Sequence, residues 1–111
     1  MSRFGLCGIM MAQPGQRDAL LNELLQAANL VADLPGCEVW IVNTMPGDPD
    51  AIWVTEVWRS EADHAASLTN DVVKAVITRA RPLIAGFGER FTLEPVAGKG
   101  LTAPPPKSGT R

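Results

Sequence analysis

From Phe4 to Ala12 the chain runs Phe-Gly-Leu-Cys-Gly-Ile-Met-Met-Ala, apolar at both alternating sets of positions, and it stops at Gln13-Pro14-Gly15. A short run of this kind, closed by a Pro-Gly breaker, predicts a strand in the middle of its sheet. The rhythm then changes. Between Gln16 and about Ala32 the apolar residues Leu20, Leu21, Leu24, Leu25, Ala28 and Val31 recur at helical spacing, with Arg17, Asp18, Asn22, Glu23 and Gln26 on the opposite side. This is an amphipathic helix with one stripe turned to a core, ended by Leu34-Pro35-Gly36.

Residues 37–44, centred on Trp40, Ile41 and Val42, predict a second strand, and Pro46-Gly47-Asp48-Pro49-Asp50 a loop dense in turn formers. The third strand, residues 51–59, returns antiparallel, with Ile52, Val54, Glu56 and Trp58 on one side and Trp53, Thr55 and Val57 on the other. Ser60 followed by Asp63 signals a helix start. A short helix carrying His64 and Leu68 is interrupted at Thr69-Asn70-Asp71, whose residue types favour caps and turns. A further helical piece buries Val72, Val73, Val76, Ile77, Ala80 and Leu83 or Ile84, and Pro82 ends or kinks it. Gly86-Phe87-Gly88 is read as a turn into a fourth strand over residues 89–96, and the Pro- and Gly-rich residues 98–111 as a flexible tail after a domain of residues 1–97.

The order β-α-β, β-α-β with short connections predicts an α+β, ferredoxin-like fold: a four-stranded antiparallel sheet with helices on one face. The helix-facing side is expected to hold Glu56 and Trp58 and, one strand over, Asn43. The open side is expected to hold Trp53, Thr55 and Val57, with Trp40 beside them. An exposed apolar face of that size predicts a homodimer built by stacking two sheets.

Composition narrows the function. The chain has 111 residues, 46% hydrophobic and 20% charged, with a net charge of −2. That size suits one domain, and the charge supplies no basic footprint for nucleic acid or an anionic membrane. No apolar run approaches the roughly 20 residues of a membrane span, and the N-terminus lacks the order of a secretory signal, so a cytoplasmic protein is expected. Cys7 and Cys37 are read as buried, inert thiols, a disulfide being disfavoured in the cytosol. With a single histidine and no Cys-x-x-Cys, a metal site is not expected.

The segment from Asp50 to Leu68, with its Glu56-x-Trp58 strand and the helix Ser60-x-x-x-His64, together with Arg79-Ala80-Arg81-Pro82-Leu83-Ile84-Ala85-Gly86, resembles the antibiotic biosynthesis monooxygenase family, in particular its small quinol monooxygenase members. The resemblance spans roughly residues 4–97. It implies a dimeric α+β barrel that oxidises a phenol or hydroquinone to a quinone with dioxygen, without flavin, haem or metal. The partners implied are an aromatic small molecule and dioxygen.

Such chemistry needs a dry cavity, a base and donors for a developing oxyanion. His64, whose side chain ordinarily titrates near neutrality, is the candidate catalytic base. Trp58 is a candidate aromatic wall, Asn43 a hydrogen-bonding group, and Arg79 or Arg81 a holder of phenolate. Each also has a structural reading. Trp58 suits a core, His64 a hydrogen-bonded helix position, and Asn43 a turn cap. Glu56 needs a partner, with Arg81, Arg79 or Arg90 available, and proton transfer is its other role. Haem degradation fits poorly, because Leu6 and Gly8 stand where a polar residue would be needed and His64 comes too early. The rival from another class is a dimeric small-molecule binding or stress-response module without turnover.

Overall fold

The computed structural model describes residues 2–101, so the expected tail lies outside the described residues from residue 102 onward. Its elements are β1 (Phe4–Ala12), α1 (Arg17–Val31), β2 (Cys37–Met45), β3 (Asp48–Trp58), α2 (Glu61–Ser67), α3 (Asp71–Ala80), a 3-10 turn (Arg81–Leu83) and β4 (Ile84–Leu93). The strands form one antiparallel sheet in the order β2-β3-β1-β4, which puts β1 in the centre as its two apolar faces require. This is the ferredoxin-like α+β arrangement, with α2 and α3 as the two pieces of the interrupted second helical region that was expected. Among the described residues no helix is long and apolar enough to cross a membrane.

The helices are punctuated where their residue types require. Ser60 is extended, and its hydroxyl accepts from the Asp63 N–H at 3.2 Å, opening α2. Asn70 opens α3 by accepting from Val72 and Val73 N–H at 2.9 and 3.1 Å. Each cap satisfies backbone donors that a helix start otherwise leaves bare. Between α1 and β2, Gly36 has φ of 84°, a left-handed conformation, and a Cβ there would collide with the Asp63 carboxylate. The same residue's carbonyl accepts the Arg59 N–H at 2.7 Å, tying the start of β2 to the end of β3.

The core lies between the helices and one sheet face. Ala12, Leu20, Leu24, Ile52 and Ala80 form its buried centre, with Met10, Trp40, Val42 and Val54 packed against it. Trp40 is therefore on the helix side, against expectation. Residues directly opposite in antiparallel strands share a face, and Trp40 lies opposite Glu56, Val42 opposite Val54 and Asn43 opposite Trp53. The expected face assignment of β2 is reversed. β4 also begins earlier than expected: Gly86, Phe87 and Gly88 belong to the strand, not to a turn. Register shifts between Gly8 and Met10 and between Met11 and Ala12 absorb the extra residues as β-bulges. Ile84 accordingly sits in the sheet rather than on α3.

The opposite face is apolar and uncovered in the single chain. Ile41 on β2 and Leu93 on β4 are 49% and 56% exposed, and Phe91, two residues before Leu93, is exposed as well.

Candidate functional site

A cavity of about 640 Å³ opens between the sheet and the helices, lined by apolar groups of α1, α3 and the sheet with Trp40, Trp58, Glu56, His64 and Arg81 among them. Its polar chemistry is concentrated at the junction of β3 and α2. Residues two apart on a strand point the same way, so Glu56 and Trp58 both face inward. The Trp58 indole N–H donates to Glu56 Oε1 at 2.9 Å. Trp58 is only 1% exposed, so this bond satisfies a donor that water cannot reach.

Ser60 sets the phase of α2, and four residues on, His64 falls against the end of β3. Its backbone N–H donates to the Ser60 carbonyl at 3.3 Å. The imidazole lies between two aromatic rings, Phe4 at a centroid distance of 5.1 Å and Trp58 edge-on at 5.6 Å. His64 Nε2 is 3.8 Å from Glu56 Oε1, the oxygen that also takes the Trp58 N–H. The side chains of His64 and Glu56 are 13% and 18% exposed. That separation is ion-pair range for an imidazolium and is wide for a direct hydrogen bond. The pair is well placed to accept a proton on the imidazole and offset the charge with the carboxylate.

Cys37 pairs with Trp58 at the start of β2. Burial chiefly, then the Glu56 and Glu38 carboxylates, push its thiol above the ordinary value. It therefore stays protonated and unreactive near neutrality.

The expected site residues separate. Trp58, His64 and Arg81 line the cavity. Asn43 does not: it shares the outer face with Trp53, and its side-chain N–H donates to the Trp53 carbonyl at 3.2 Å and the Thr55 hydroxyl at 3.5 Å. Arg79 lies outside as well, bridging α3 to α1 through Glu23 at 2.9 Å. Residues two apart on a helix do not share a face, which is why Arg79 and Arg81 diverge. Glu56 was expected to meet an arginine and instead meets Trp58 and His64. Phe4 and Trp40 also join the site unanticipated; the i, i+2 spacing of Glu56 and Trp58 was the available signal for their contact. Among the described residues no group of three His, Cys, Asp or Glu side chains could hold a metal ion.

The sequence model of the family described as antibiotic biosynthesis monooxygenase matches residues 7–79. A solved structure named "putative antibiotic biosynthesis monooxygenase" from Chloroflexus aurantiacus J-10-fl is 46% identical, covers 91% of this chain and 100% of its own, and superposes with a TM-score of 0.85. One of the same name from Caulobacter crescentus CB15 is 23% identical over 86% of this chain and 92% of its own, with a TM-score of 0.79, a likeness of fold. A comparison with curated proteins finds no match. The match over most of the domain, together with the fold, establishes that the chain belongs to the antibiotic biosynthesis monooxygenase family.

Proposed function

We propose that the protein is a cofactor-independent monooxygenase that oxidises a phenolic or hydroquinone substrate to a quinone with dioxygen. The observation that carries this reading is the Glu56–His64 pair at the wall of an apolar cavity large enough for an aromatic ligand. In the simplest case phenol and dioxygen become quinone and water. His64 takes the phenolic proton, and Glu56 offsets the charge that develops on the imidazole. The electron-rich ring carbon then forms a bond to one oxygen atom, giving a ring peroxide. Loss of the C–H proton and cleavage of the O–O bond leave a carbonyl; the second oxygen departs as water, with the imidazolium returning its proton. The ring supplies all four electrons. Trp40 and Trp58 wall the ring, and Arg81, which has no carboxylate partner among the described residues, is placed to hold phenolate.

The uncovered sheet face, with Trp53, Ile41, Phe91 and Leu93, supports a homodimer in which two sheets stack. The two free thiols suit a reducing cytoplasm.

Oxygen uptake with a panel of hydroquinones and polycyclic phenols tests the function. Uptake above the autoxidation blank is expected, and His64→Ala should lower it on the order of a hundredfold. Binding of the panel without uptake would leave a non-catalytic small-molecule module as the better reading.

A further inference from the structure

The cavity between the sheet and the helices has an apolar lip. Leu68 at the C-terminal cap of α2, Ile77 on α3 and Phe87 on β4 all line it, and all three are also exposed to solvent. Phe87 is the extreme case at 73% exposed. A single exposed apolar side chain is ordinary. Three of them, brought from three elements to the edge of one cavity, form a patch of the kind that marks a contact surface. The lip lies on the helix side of the sheet, so stacking of the outer sheet faces would leave it open.

The cations of the chain divide around this lip. Arg3, Arg17, Arg59 and Arg79 each lie within ion-pair range of a carboxylate, from Glu38, Asp18, Asp63 and Glu23 respectively. Lys74, Arg81 and Arg90 are exposed and have no carboxylate partner among the described residues. These three flank the lip. Lys74 and Arg81 stand three residues before and four after Ile77, spacings that share one flank of a helix, and that flank is free because α3 packs mainly on α1. Arg81 lines the cavity with Ile77 and Phe87, and Arg90 lines the adjoining hollow with Leu68 and Phe87. The net charge of −2 conceals the cluster, because its members come from different elements rather than from one basic run.

We propose that this lip docks on an anionic phospholipid surface, with Leu68, Ile77 and Phe87 entering the boundary between headgroups and acyl chains and Lys74, Arg81 and Arg90 meeting the phosphates. An acidic polypeptide would match the cations and give the three apolar side chains nowhere to go. A bilayer surface supplies both environments together, and each cation near an anionic leaflet strengthens binding about fivefold. The inference is independent of what the cavity binds and of whether the protein turns anything over.

The test is co-sedimentation of the full chain with sucrose-loaded vesicles, one set of phosphatidylcholine alone and one of equal parts phosphatidylcholine and phosphatidylglycerol. The mixed vesicles should bind on the order of tenfold to a hundredfold more tightly than the neutral ones, and added salt should erase much of the difference. Phe87→Asp should weaken binding to the mixed vesicles on the order of tenfold, and Lys74→Gln about fivefold. Ile77→Ser gives a second reading of the apolar contribution, with the fold of each variant checked by circular dichroism. Leu25→Asp, at an exposed apolar position of α1 that lines neither cavity, should bind as the wild type does. Absence of binding to the mixed vesicles, or binding that Phe87→Asp and Ile77→Ser leave intact, would overturn the proposal. So would capture of a polyglutamate peptide with the vesicles left unbound, which would assign the cations to an acidic protein.

Discussion

The Trp58 indole N–H donates to Glu56 Oε1 at 2.9 Å, and that bond fixes the carboxylate where His64 Nε2 meets it at 3.8 Å. A buried tryptophan thus aims the charge that serves the histidine. Glu56→Gln keeps an acceptor oxygen for the indole and removes the charge. It should lower the maximal rate of oxygen uptake on the order of tenfold to a hundredfold, with little change in melting temperature. An unchanged rate in a folded variant would take Glu56 out of the chemistry.

The outer sheet face should hold two copies together. Trp53 sits there opposite Asn43, flanked by Ile41. Trp53→Asp places a charge in the middle of the stacked sheets, where it would be desolvated without a partner. Sedimentation velocity should show a dimer for the wild type and a species of half the mass for the variant. A monomeric wild type would refute the assembly.

Acid should remove one small contribution to stability. Arg59 Nε donates to Asp63 Oδ2 at 2.9 Å. That hydrogen bond, with help from Ser60, holds the Asp63 carboxyl below its ordinary value of 3.8. The unfolded chain therefore takes up the proton first as pH falls. The contribution is fully present above pH 3.8 and is lost as pH drops through the lower folded-state value. Wild type and Arg59→Gln should differ slightly in melting temperature near neutrality and converge in acid. A gap that persists in acid would assign the difference to something other than this exposed pair.

Ile52 has no exposed surface and packs in the core centre beneath the helices. Ile52→Ala should cost roughly 2–5 kcal/mol in urea denaturation, the range for emptying a close-packed core site. A loss below about 1 kcal/mol would mean that the neighbouring side chains collapse into the space.

Much of this fold is legible in the chain because its signals are local. Pro14-Gly15, Pro35-Gly36, Ser60 and Asn70 each stop or start an element through their own backbone preferences, and the apolar stripe of α1 repeats over four turns. What is not legible depends on pairing between distant residues. The face of Trp40 and Asn43 follows from the register of β2 on β3, which alternation alone leaves undecided. The early start of β4 follows from bulges that let Gly86 and Phe87 stay paired with β1. In the site, His64 and Trp58 stand out as rare residues beside a helix start. Glu56 as the partner of His64 emerges only once α2 folds back against the end of β3.

The alternation of β3, and the register of β2 on it, also separate the chain's indoles by what surrounds them. Trp40 and Trp58 wall the cavity between the sheet and the helices, whereas Trp53 lies on the outer sheet face. With Trp53 replaced by phenylalanine, intrinsic fluorescence would come from the cavity alone and report its occupancy, undisturbed by association of the sheets. With Trp40 and Trp58 replaced instead, the remaining emission would follow that association. The same pattern of residues that divides the strand's two faces makes the protein its own spectroscopic probe for each.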